Sequence, residues 1–144
     1  METNKKQNLG QFFTTRYAHI LQNLSIPEDI TTIIEPFTGN GDLLNFLDKE
    51  KYTIECYDIE SRHNFIKTQD TLLIPPDYTN KFILTNPPYL ARNKSKNKTL
   101  FDKYNVNDLY KCFIKELFSN RPNGGIIIIP LNFWSSIRKA DIQL

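Results

Sequence analysis

The reading of the fold turns on residues 31 to 41, Thr31-Thr32-Ile33-Ile34-Glu35-Pro36-Phe37-Thr38-Gly39-Asn40-Gly41. Thr31 to Glu35 predicts a short buried strand, because its centre is β-branched and apolar and Pro36 with the Gly39 and Gly41 pair stops it. Asp42 to Glu50 then carries helical spacing through Leu43, Leu44 and Leu47. A glycine turn between a strand and a helix lets backbone approach a ligand closely at the helix N-terminus. The pair of glycines alone is weak evidence. Leu44 holds the place where a nicotinamide-type dinucleotide site has its third glycine, and an ordinary loop stays open as a reading.

Working outward, Tyr52 to Asp58 alternates as a second strand, Phe65 to Lys67 is a weak third, and Phe82 to Thr85 is a fourth that ends at Asn86-Pro87-Pro88. Asp108 to Asn120 has helical spacing through Leu109, Phe113, Ile114, Leu117 and Phe118. After Asn123-Gly124-Gly125, the unbroken run Ile126 to Ile129 suits a strand buried on both faces. Asn132 to Leu144 reads as the start of a helix. Strands alternating with helices predict a doubly wound α/β domain with a mostly parallel sheet, whose ligands lie beyond the carboxyl ends of the strands. The glycine turn and the proline stop both fall there. Arg92 to Lys103, rich in Lys and Asn, is expected to be a mobile loop.

The 144 residues suit one domain, 1–144, and a hydrophobic share of 40% is enough to bury a core. Eighteen Lys and Arg against sixteen Asp and Glu leave a formal charge of +2, too little to name a nucleic-acid partner. Met1 to Gly10 has no apolar signal-like stretch, and the apolar run Ile126 to Ile129 is far short of a membrane span. Cys56 and Cys112 lack CxxC spacing, and His19 and His63 have no ligand cluster, so a reduced, cytoplasmic, metal-free protein is the expectation.

Three further features carry chemistry. Asp58 ends the second strand about 20 residues past the glycine turn, the distance at which an acid reaches both hydroxyls of a ribose. A solvated turn residue is the plainer reading, and Glu60 competes for the role. Asp70 can accept a hydrogen bond from the amino group of an adenine lying against Leu72 and Leu73, or can be a turn aspartate. Asn86-Pro87-Pro88-Tyr89 is the most specific signal, because two prolines after a buried strand fix the directions of Asn86 and Tyr89. The amide oxygen of Asn86 and the carbonyl of Pro87 can accept both protons of one NH2 group while Tyr89 stacks on the planar system bearing it.

Together these motifs make the chain resemble the amino-terminal catalytic part of adenine-specific DNA methyltransferases of restriction and modification systems, in their gamma motif order. Gln11-Phe12-Phe13-Thr14-Thr15 is similar to the family's segment over the methionine part of S-adenosylmethionine, so Phe13 and Thr14 are expected at the cofactor. Glu35 to Gly41 resembles the cofactor glycine loop, which implicates Glu35, Pro36, Gly39 and Gly41. Asp58 resembles the ribose acid, Asp70 the residue holding the cofactor's adenine, and Asn86 to Tyr89 the catalytic tetrapeptide. Asp108 to Ile114 and Gly124 to Trp134 continue the likeness, whereas Thr15 and Lys81 depart from it, standing where the family often has a proline and an acid.

The resemblance implies a Rossmann-like methyltransferase fold, incomplete on its carboxyl-terminal side. Further strands, a second base-stacking aromatic and a domain reading DNA sequence are expected after Leu144, or a second chain covering the sheet edge. It also implies transfer of a methyl group to the exocyclic amine of a flipped adenine, with Asn86, Pro87 and Tyr89 catalytic, Asn86 also touching the cofactor, and Pro88 and Tyr89 against the base. Arg92 and Lys94 are candidate phosphate contacts, a solvated loop being the alternative. Methylation of a protein glutamine amide and a non-catalytic cofactor-binding or partner subunit are the competing functions.

Overall fold

A computed structural model describes residues 14–136. Helix α1 spans Tyr17–Ile20, strand β1 Thr32–Glu35, a 3-10 helix Asp42–Phe46, β2 Thr53–Asp58, β3 Lys67–Thr68 and β4 Phe82–Thr85. Helices α2 (Thr99–Tyr104) and α3 (Leu109–Phe118), strand β5 (Gly125–Ile127) and helix α4 (Phe133–Ser136) follow. The five strands form one sheet in the order β3-β2-β1-β4-β5. Every pairing is parallel, with Ile33 beside Ile54 on one side of β1 and beside Phe82 on the other. The chain thus leaves the central β1 outward through β2 and β3, then returns to build β4 and β5 on the opposite side. The crevice between the carboxyl ends of β1 and β4 is a topological switch point, the usual place for a ligand in such sheets.

Alternate strand residues serve opposite faces, as a period of two requires. Ile33, Phe82 and Leu84 join Leu21, Leu43, Leu44 and Cys56 in one core. Ile34 and Ile83 join Tyr78, Phe101, Cys112, Phe113 and Leu117 in the other. Covering both faces is why β1 and β4 read as nearly continuous apolar runs. β5 needs a residue without a side chain: a Cβ on Gly125 would lie 2.9 Å from Ile83.

Several expectations are corrected. The helix expected over Asp42 to Glu50 is only the short 3-10 segment, because Leu47 turns extended (ψ 141°) and the Asp48 carboxylate accepts the Glu50 N–H at 3.0 Å, a local bond that competes with helix. The segment Arg92 to Lys103 is not wholly loop. Phe101, only 1% exposed, anchors α2 in the core, and Asn105 closes that helix in the left-handed conformation (φ 51°). Burial of one aromatic outweighs the polar composition around it. Ile126 packs against one core and Ile127 against the other, so both faces of β5 are in use, but each is only half-buried, and β5 pairs with β4 alone among the described residues, which leaves it at the sheet edge. The helix expected from Asn132 is seen as α4; its remainder lies outside the described residues.

Candidate active site

The glycine turn is held by hydrogen bonds from Thr38 and to Asp58. Gly39 (φ 56°) and Gly41 (φ 83°) adopt the left-handed region that glycine enters without strain. The Thr38 hydroxyl donates to the Glu35 carbonyl at 3.0 Å, and the Thr38 N–H donates to the Tyr57 carbonyl at 2.9 Å. Asp58, at the end of β2, accepts the Gly39 N–H at 2.7 Å on one oxygen and the Glu60 N–H at 2.9 Å on the other. Pro36 is buried, and its carbonyl accepts the Thr71 hydroxyl at 2.9 Å. Asp70 accepts the N–H groups of Leu72 and Leu73, both at 3.1 Å. Both acids therefore have turn-holding work as well as a place at the cavity.

Across the switch point, Asn86 follows β4 and Pro87 is fully buried. The Asn86 amide donates to the Thr14 hydroxyl at 2.9 Å. The Tyr89 hydroxyl has one proton and two oxygen neighbours, Asn86 Oδ1 and the Ile128 carbonyl, the latter at 2.6 Å. Its ring meets Tyr110 edge-on at 5.8 Å. Burial, with Tyr110 and Asp108 nearby, raises the Tyr89 pKa, so the hydroxyl stays a donor. Asp108 directly precedes α3, and its side chain accepts the Leu90 N–H at 3.2 Å.

A cavity of about 270 Å³ joins the two halves. Thr14, Glu35, Gly39, Asp58, Asp70, Asn86 and Pro88 line it. Pro36, Gly41, Pro87, Tyr89, Arg92 and Lys94 do not; the first three shape the turns beneath it, and Tyr89 faces Asn86 from behind. Phe13, with Gln11 and Phe12, lies outside the described residues. The Arg92 guanidinium pairs with Asp102 at 2.5 Å, which commits it within the segment. Sequence reasoning missed Phe37, Asp42, Leu90, Leu100, Phe101 and Leu109 as lining residues. Phe37 was legible as the aromatic inside the glycine turn; Phe101 had no local signal.

Among the described residues the cavity wall is acidic, with Glu35, Asp42, Asp58 and Asp70 and no Lys, Arg or His. Glu35 is 1% exposed, and Glu35 Oε2 and Asp42 Oδ2 are buried without a hydrogen-bond partner among the described residues. Burial first, then Asp58 and Asp42, holds the Glu35 carboxyl well above the usual carboxylate range. Such orphaned acceptors fit a ligand that brings cationic or N–H groups. Cys56 and Cys112 offer no thiolate, since burial pushes their thiols up to about 11 and about 12.

Among the described residues no group of His, Cys, Asp and Glu is arranged to hold a metal ion, and no helix is long and apolar enough to cross a membrane. No family model matches the chain, and no curated protein matches it.

Proposed function

We propose that the chain carries the methyl-transferring site of a DNA adenine methyltransferase, with S-adenosylmethionine as donor. The observation that supports this reading above others is the single cavity shared by the Gly39 turn and Asn86. The donor would supply an electrophilic methyl on a sulfonium. Its fit rests on the acidic wall: Glu35 and Asp42 offer unpartnered oxygens for the donor's cationic end, while Asp58 and Asp70 keep acceptor capacity for hydroxyl and amino groups. Leu72 and Leu73 give a purine an apolar wall.

The acceptor chemistry falls to the tetrapeptide. An adenine amine is a poor nucleophile because its lone pair is delocalised into the ring. The Asn86 amide oxygen, as a fixed dipole, would accept from that amine and stabilise positive charge as it develops, whereas Pro87, expected to take the second proton on its carbonyl, is buried beneath the cavity. Holding reacting atoms about 3 to 3.5 Å apart supplies the rest. An adenine in duplex DNA must be flipped out to arrive, at a cost of a few kcal/mol.

Calorimetric titration with S-adenosylmethionine, followed by labelled-methyl transfer to mixed-sequence DNA and to glutamine-bearing peptides, tests the proposal. Donor binding with label in DNA adenine supports it. Label in peptide alone replaces DNA with a protein amide as substrate, and absence of donor binding removes the methyltransferase reading.

A further inference from the structure

Residues 92 to 98 form the outer wall of the cavity through Ser95 and Asn97, yet they pack no side chain into either core. Their two ends are fastened. The Arg92 N–H donates to the Asn107 carbonyl at 2.9 Å and Ala91 bridges to Asp108, while Phe101 anchors the far side. Between those anchors the backbone turns so that the carbonyls of Arg92 and Ser95 converge, and the half-buried Lys98 ammonium donates to both, at 2.7 Å to Ser95. The Ser95 hydroxyl in turn donates to the Asn97 carbonyl at 2.7 Å.

We propose that Lys98 is a positioning residue, whose ammonium gathers the Arg92 and Ser95 carbonyls and thereby holds the Ser95 and Asn97 wall over the ligand cavity. A charge-assisted bond to two carbonyls is strong for a short segment with no apolar anchor of its own. Lys98, one of several lysines in this polar stretch, thus works inward. The ligand half of this inference rests on the methyl-donor reading above.

Lys98→Met keeps the apolar stem and removes the donors. It should leave the thermal midpoint within error, speed amide exchange at Arg92, Lys94 and Ser95, and weaken S-adenosylmethionine binding about tenfold. Lys98→Cys alkylated with bromoethylamine rebuilds an ammonium at nearly the same reach and should restore both protection and affinity; equally treated wild type is the control. Unchanged exchange in Lys98→Met overturns the clamp. Faster exchange with undiminished donor affinity overturns its role at the ligand. Faster exchange in the variant, with wild type that binds no donor, upholds the clamp but overturns the methyl-donor reading and the ligand role with it.

Discussion

The carboxylate of Asp58 and the backbone N–H of Gly39 are joined at 2.7 Å across 19 residues of sequence. That bond ties the end of β2 to the turn after β1 and makes the geometry of the glycine loop depend on an acid in a different strand. The second oxygen of the same carboxylate accepts the Glu60 N–H.

Asp58→Asn therefore leaves one of the two N–H groups facing an amide NH2. We expect a loss of about 1–3 kcal/mol of stability, read by urea denaturation, together with weaker donor binding read by calorimetry. Stability and affinity both equal to wild type would show that the turn holds itself.

Glu35 gives a pH signature. Its folded-state pKa lies above the ordinary 4.5, so below that pH both folded and unfolded states are protonated there. As pH rises through the ordinary value, the unfolded carboxyl ionises first, and wild type loses stability until the raised folded value is passed. The thermal midpoint of Glu35→Gln should therefore gain on wild type with rising pH across that window. A difference independent of pH contradicts the assignment.

Asn86→Ala should bind S-adenosylmethionine with little change and lose methyl transfer, since the amide oxygen is asked to act on the acceptor amine. Undiminished methylation refutes the role. Tyr89→Phe is a separate probe: it keeps the ring against Tyr110, removes the hydroxyl from Asn86 Oδ1 and the Ile128 carbonyl, and should lower stability by about 1 kcal/mol.

Phe101→Ala should cost about 3–5 kcal/mol, measured by chemical denaturation, because the ring is fully buried between α2 and α3. A change within the range of surface substitutions would return residues 92–103 to the status of a loop.

Local chemistry made much of this legible. Ile33, Ile34, Ile83 and Leu84 read as strand because both faces of the sheet are covered, while Gly39 and Gly41 announced a turn by their conformational freedom and Pro87 by its restriction. The parallel sheet followed from the alternation of elements. The residues that escaped detection depend on distant partners. Phe101 is buried by Tyr78, Val106 and Phe113, none of which its neighbours in sequence foretell. Lys98 looks like any solvated lysine until the Arg92 and Ser95 carbonyls converge on it. The 3-10 segment after Gly41 was lost to a contest between leucine periodicity and the Asp48 side chain, which spacing alone does not decide.

The central position of β1 has a mechanical consequence. Its two edges are both occupied, by β2 and β4, so neither bank of the crevice can part without rupturing the middle of the sheet. Any give in the cavity wall is therefore left to the polar rim at 92–98, which the Lys98 ammonium and the Arg92–Asp102 pair hold where the sheet has a packed core.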